Sequence, residues 1–234
     1  MKLLIAVAVL LLLFVGYTLY TFYGRVQESK VLVDAAVPYS KEGSGTPALL
    51  VIGDSTGVGV GASRPEDSVA GLLATYLQAP RVDNYAESGA RVADLPGQIA
   101  KADLGEYDTI LVQIGGNDII RLRPAHEAAE GLAVLLKTLP KTERLVVMSA
   151  GNVGGSTLFP FFIRPLHTSL NKAYHTELER VVTDAGGIYV SLYEPPATDP
   201  FALDPEKYFA ADGLHPSSAG YRVWFAKLLQ ATKW

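Results

Sequence analysis

From residue 48 to the end of the chain, short apolar runs alternate with helix-length segments. This alternation constrains the fold more than any other feature of the sequence. Strands are predicted at residues 48–52, 82–85, 109–114, 145–149 and 188–191. Helices are predicted near 68–78, 92–102, 125–138 and 166–185, with a last one at 217–231. Apart from 82–85, the strands are rich in Val, Ile and Leu, the pattern of strands covered on both faces. The expected fold is α/β: right-handed βαβ crossovers building a five-stranded parallel sheet between two helix layers. Ligands of such sheets bind at the carboxyl ends of the strands, so those loops are the ones to read for function.

The mean hydropathy of +0.20 is high for a soluble protein, and residues 1–23 carry nearly all of it. Residues 3–15 are an unbroken apolar run, and no charge occurs between Lys2 and Arg25. As a helix, residues 3–23 would span about 31 Å, close to the hydrocarbon thickness of a bilayer. Tyr17, Tyr20, Phe22 and Tyr23 stand where an aromatic belt belongs. Lys2 and the apolar core also fit a cleaved signal sequence, but bulky residues 16–23 offer no small-x-small cleavage site. Residues 1–24 are therefore read as an uncleaved membrane anchor. Lys2 and the amino terminus oppose Arg25 and Lys30, so charge barely orients the span. Resemblance to a signal anchor places the body outside the cytoplasm, in a periplasm or at a cell surface. Residues 25–46 read as a polar linker, with Val31–Val33 packing locally at most. Residues 47–234 form one catalytic domain, so a chain starting near Thr46 is expected to be soluble and active.

With 20 basic and 24 acidic residues and no basic cluster, the chain is not expected to bind nucleic acid. The absence of cysteine removes disulfides, thiolate nucleophiles, Cys-ligated zinc and a lipidated Cys anchor. His126, His167 and His175 lack metal-ligand spacing, so no metal is expected.

The first predicted strand ends in Gly53-Asp54-Ser55-Thr56-Gly57, followed by Gly59 and Gly61. A serine between small residues just past a buried strand can be presented on a tight turn. Gly53-x-Ser55-x-Gly57 also satisfies the nucleophile elbow of the α/β hydrolases. The glycine spacing faintly suggests a dinucleotide loop with Asp83 as ribose ligand, whereas a phosphate-binding P-loop fails for want of Gly-Lys-Ser/Thr. The C-terminal loop discriminates among these. Asp212 and His215, three apart, can fold back so that the carboxylate accepts the imidazole Nδ1–H. Nε2 is then free to take a proton from a serine hydroxyl, which is otherwise a poor nucleophile. A dinucleotide site needs no such pair, and α/β hydrolases usually place the acid well before the histidine. An oxyanion cradle is still required. The segment from Asn84 through Gly89 to Arg91, the segment Gly115-Gly116-Asn117-Asp118 and the Ser55 N–H offer backbone and amide donors at strand ends.

Together these motifs resemble the SGNH hydrolases, also called GDSL esterases and lipases, over about residues 49–221. The nucleophile block matches Gly53-Asp54-Ser55, the lone oxyanion glycine falls on Gly89, Gly-x-Asn-Asp matches 115–118, and Asp-x-x-His matches Asp212 and His215. The resemblance implies a flavodoxin-like fold, a triad of Ser55, His215 and Asp212, and an oxyanion hole of Ser55 N–H, Gly89 N–H and Asn117. It implies hydrolysis of a small-molecule or lipid acyl ester without cofactor. Thr56 departs from the leucine usual after Gly-Asp-Ser. The same constellation could instead deacetylate envelope sugars or transfer acyl groups to an acceptor other than water, and a non-catalytic envelope binding protein that keeps the fold is a further alternative. Asp54 and Asp118 are expected to hold loop backbone, and Asn84 to orient the Gly89 loop or simply to turn the chain. Arg91 and Arg164 are either solvated or near an anionic substrate group. Phe159, Phe161 and Phe162, after the fourth strand, are expected to line an acyl pocket, meet lipid or cover the core.

Overall fold

The computed structural model describes residues 1–102, 107–140 and 142–234. A long helix, α1 (Lys2–Ala35), precedes the body. The body runs β1 (Ala48–Gly53), α2 (Ser55–Val58), α3 (Val69–Leu77), β2 (Arg81–Asn84), α4 (Leu95–Ile99) and β3 (Thr109–Ile114). It continues through α5 (Gly116–Ile120), α6 (Ala125–Leu136), β4 (Arg144–Ser149), α7 (Arg164–Asp184) and β5 (Ile188–Val190). The short α8 (Pro200–Leu203) and α9 (Pro205–Tyr208) lead into α10 (Ser218–Thr232). The helix expected near 92–102 is split into a 3-10 turn at Val92–Asp94 and α4, because Pro96 opens a new helix.

The five strands form one parallel sheet in the order β2-β1-β3-β4-β5. The sheet grows to one side of β1 and then to the other, so the ligand crevice is expected at the carboxyl ends of β1 and β3. Successive side chains point to opposite faces. Leu50, Ile52, Ile110 and Val112 meet α4, α6 and α7 on one side. Leu49, Val51 and Leu111 meet α3 and α10 on the other, with Leu73, Tyr221 and Leu228. These central side chains are fully buried, each worth about 1.5–3 kcal/mol relative to exposure.

The linker expected at 25–46 is different in the structure. α1 continues through Arg25 to Ala35, and its second half lies on the body. Phe22, Val26, Ser29 and Val33 are spaced by four, three and four residues, which places them on one helix face. Phe22 and Val26 pack on the core under α6 and α7. Leu32, Val33 and Ala36 cover Val58, Val60 and Ala86 beside α2. Further on, Lys41 pairs with Val82 through two backbone hydrogen bonds (3.0 and 2.9 Å), covering the open edge of β2.

Candidate active site

β1 ends at Gly53, whose φ is +148° and where a Cβ would overlap the Gln113 carbonyl. Gln98 holds this glycine from both sides: Gly53 N–H donates to Oε1 (2.7 Å) and Nε2 donates to the Gly53 carbonyl (2.8 Å). Asp54 then caps α2, accepting from the Thr56 N–H (2.9 Å) and the Thr56 hydroxyl (2.7 Å). The threonine that departs from the usual leucine is thus a partner of the cap. Burial pushes the Asp54 carboxyl up to about 6, against the Thr56 hydrogen bonds that lower it. Ser55 opens α2 and is 8% exposed.

The loop before α10 brings His215 to this serine. His215 Nε2 lies 2.9 Å from Ser55 Oγ, and its Nδ1 lies 2.5 Å from Asp212 Oδ2. Asp212 Oδ1 accepts the N–H groups of Leu214 (2.9 Å) and His215 (3.0 Å). Asp212 is fully buried. Burial raises its pKa, but the hydrogen bond and charge of His215, with those two N–H groups, outweigh it and hold the carboxyl below its usual range. A carboxylate at Nδ1 selects the tautomer whose Nε2 accepts a proton. The loop itself is clamped through the Gly213 carbonyl, which accepts from Thr157 N–H (2.9 Å), Leu158 N–H (3.2 Å) and the Ser156 hydroxyl (2.7 Å).

Ser55, Gly89 and Asn117 line one cavity. Among the described residues, neither the Ser55 N–H nor the Gly89 N–H has a protein acceptor. Asn117 Nδ2 donates one hydrogen to the Ala90 carbonyl (3.0 Å), leaving its second. Asp118 accepts from Val92 N–H (3.1 Å), and burial raises its carboxyl pKa. Asn84 donates to the Gly57 carbonyl (3.0 Å) and accepts from Ala86 N–H (3.1 Å), so it joins α2 to the loop after β2.

The cavity has a volume of about 240 Å³. Sequence reasoning missed several residues of its wall: Asn152, Asp199, Phe201 and Trp224 from the body, and Ser29 and Val33 from α1. The α1 pair was detectable as the four-three-four spacing just described.

Phe159, Phe161 and Phe162 are not part of this wall. Phe159 is buried and stacks on His167 with ring centroids 4.5 Å apart. Phe161 and Phe162 are 66% and 56% exposed and turn towards the apolar half of α1. Phe159 thus covers the core, and Phe161 and Phe162 belong to the surface that faces α1. His175 is buried beneath the ends of β4 and β5, with Nδ1 2.7 Å from the Tyr189 hydroxyl and Nε2 3.2 Å from the Ala150 carbonyl. Burial pushes its imidazole down to about 4. Arg91 pairs with Asp94 rather than with the cavity.

The model of the GDSL-like lipase/acylhydrolase family matches residues 51–223. No curated protein matches the chain. A solved protein from Lactobacillus plantarum is 25% identical with a TM-score of 0.62, over 80% of this chain and 96% of its own. An acetylxylan esterase from Geobacillus stearothermophilus is 24% identical with a TM-score of 0.57, over 83% of this chain and 97% of its own. An α/β hydrolase enzyme from the metagenome of Lake Arreo is 22% identical with a TM-score of 0.61, over 81% of this chain and 96% of its own. These structures share the fold.

Proposed function

The chain belongs to the GDSL-like lipase/acylhydrolase family and is an ester-bond hydrolase; from that premise we propose that it cleaves carboxylic acyl esters through an acyl-enzyme on Ser55. His215 Nε2 takes the hydroxyl proton as Ser55 Oγ attacks the ester carbonyl. Asp212 holds the imidazole in place and stabilises the imidazolium that forms. The oxyanion is received by Ser55 N–H, Gly89 N–H and the free hydrogen of Asn117 Nδ2. Collapse of the tetrahedral intermediate expels the alcohol, protonated by His215. Water activated by the same imidazole then releases the acid. No metal or cofactor is required by these steps.

The observation that carries this reading is the 2.9 Å contact of His215 Nε2 with Ser55 Oγ, 160 residues apart in sequence. Ser55→Ala should abolish hydrolysis of p-nitrophenyl acetate and labelling by a fluorophosphonate while leaving the circular dichroism unchanged. Full retained activity would overturn the mechanism. In the same reading, residues 3–23 of α1 anchor the enzyme in a membrane with the body outside the cytoplasm.

A second reading is an O-acetyl esterase of carbohydrates. It is favoured by the small cavity and by Asn152 and Asp199 in its wall, polar groups suited to a sugar hydroxyl. The solved relative named as an acetylxylan esterase points the same way. A series of acyl esters from acetyl to palmitoyl, run beside acetylated xylooligosaccharides, separates the two.

A further inference from the structure

Residues 3–17 of α1 are exposed around the whole helix. The protein contacts of α1 begin at Phe14, one turn before Tyr17 of the aromatic belt. Phe14, Thr18 and Phe22 face Leu122, Phe162 and Leu166 across an apolar groove. Phe161 meets Phe14 edge-on at 6.4 Å and Phe162 at 5.6 Å. Leu122, Phe161, Phe162 and Leu166 are each more than half exposed. Four large apolar side chains thus form one patch at the level of the tyrosine belt.

Two cations flank the patch. Arg25 and Arg164 line a groove with Thr21 and Phe161. Arg25 donates to the Thr157 hydroxyl and Arg164 Nε to the Phe159 carbonyl (2.9 Å). Among the described residues, neither guanidinium has a carboxylate within ion-pair distance. Burial and the nearby charge of Arg25 both lower the pKa of Arg164, so an anion between them would relieve the pair.

We infer that this face, with Leu122, Phe161, Phe162 and Leu166 flanked by Arg25 and Arg164, docks into the headgroup–acyl boundary of an anionic bilayer. The inference rests on the reading of α1 as a membrane anchor. If Phe14 lies within the bilayer, the ring that touches it lies at the same depth, which leaves lipid as the occupant of the patch. Exposed aromatic and aliphatic side chains beside arginines suit that boundary: rings sit among the upper acyl carbons and guanidiniums pair with phosphates. Ile120 lines both the apolar groove and the catalytic cavity, so docking brings the cavity to the lipid surface.

The chain has no cysteine, so a single introduced one can be labelled selectively. The full-length variants Phe162→Cys and, separately, Leu166→Cys carry an NBD dye and are reconstituted in phosphatidylcholine vesicles with acyl-chain spin labels. The measurement is repeated with phosphatidylglycerol added. Leu10→Cys reports on the span, and Lys137→Cys, exposed at the end of α6, reports on the aqueous side. Dyes at 162 and 166 should be quenched severalfold more than the dye at 137, and phosphatidylglycerol should deepen the quenching. Arg25→Gln with Arg164→Gln should remove that deepening. If dyes at 162 and 166 are quenched no more than the one at 137 while the one at 10 is quenched, the anchor stands and the docking is refuted. If the dye at 10 also escapes quenching, the anchor reading falls and the docking with it. Quenching indifferent to phosphatidylglycerol overturns the role of the arginines.

Discussion

Asn117 carries two side-chain hydrogens, and only one is held by the Ala90 carbonyl. The other belongs to the oxyanion in the proposed mechanism. Asn117→Ala should therefore lower kcat by about 10²–10³-fold with little change in KM. A change confined to KM would remove the residue from that role. Thermal melting of the same variant reports the loss of the Ala90 bond separately. Ser55, Asp212 and His215 were legible in the sequence because each depends on local spacing: a tight turn after a strand, and a carboxylate three residues before an imidazole. The residues that position them were not. Gln98 grips Gly53 across 45 positions, and the donors to Gly213 come from the loop after β4. The phenylalanines at 159–162 were left among three places for a related reason. An aromatic run at a strand end is equally compatible with the cavity, the core or the surface, and only the path of α1 decides among them.

The alternation of apolar runs with helix-length segments sufficed to predict the five strands and the parallel sheet, because the central strands β1 and β3, buried on both faces, leave a nearly continuous apolar run. α1 was half legible. Its apolar stretch announced a helix long enough to cross a membrane, but polar Gln27, Glu28 and Ser29 concealed the continuation of that helix. That continuation changes what truncation should do. A chain starting at Gly24 keeps Ser29 and Val33 in the cavity wall and should hydrolyse soluble esters at an undiminished rate. A chain starting at Thr46 uncovers Val58, Val60 and Ala86 beside the nucleophile and frees the edge of β2. It should lose about 2–4 kcal/mol of stability and at least about tenfold in turnover through misplacement of α2. Urea unfolding and p-nitrophenyl acetate assays of the two chains test this, and equal activity would return α1 to a purely anchoring role.

Across the whole molecule, two buried groups set opposing responses to pH. The Asp54 carboxyl, pushed up to about 6, keeps its proton in the native state after the unfolded chain has released its own. Its contribution to stability therefore falls as pH rises from about 4 to about 6. The His175 imidazole, pushed down to about 4, refuses a proton that the unfolded chain accepts. Its contribution falls as pH drops from about 6.5 to about 4. Each effect is about 3 kcal/mol by linkage, and the two oppose each other. Asp54→Asn keeps an oxygen acceptor for Thr56 and removes the first response. The stability of this variant relative to the parent chain should grow with pH across the window by about 3 kcal/mol, read from urea midpoints. A difference independent of pH would show that Asp54 does not titrate there.

Residues 156–162 join two distant parts of this molecule. Ser156, Thr157 and Leu158 grip the Gly213 carbonyl between Asp212 and His215, and Phe161 rests on Phe14 of α1. The same short loop is thus a common neighbour of the mount of the catalytic base and of the apolar half of α1.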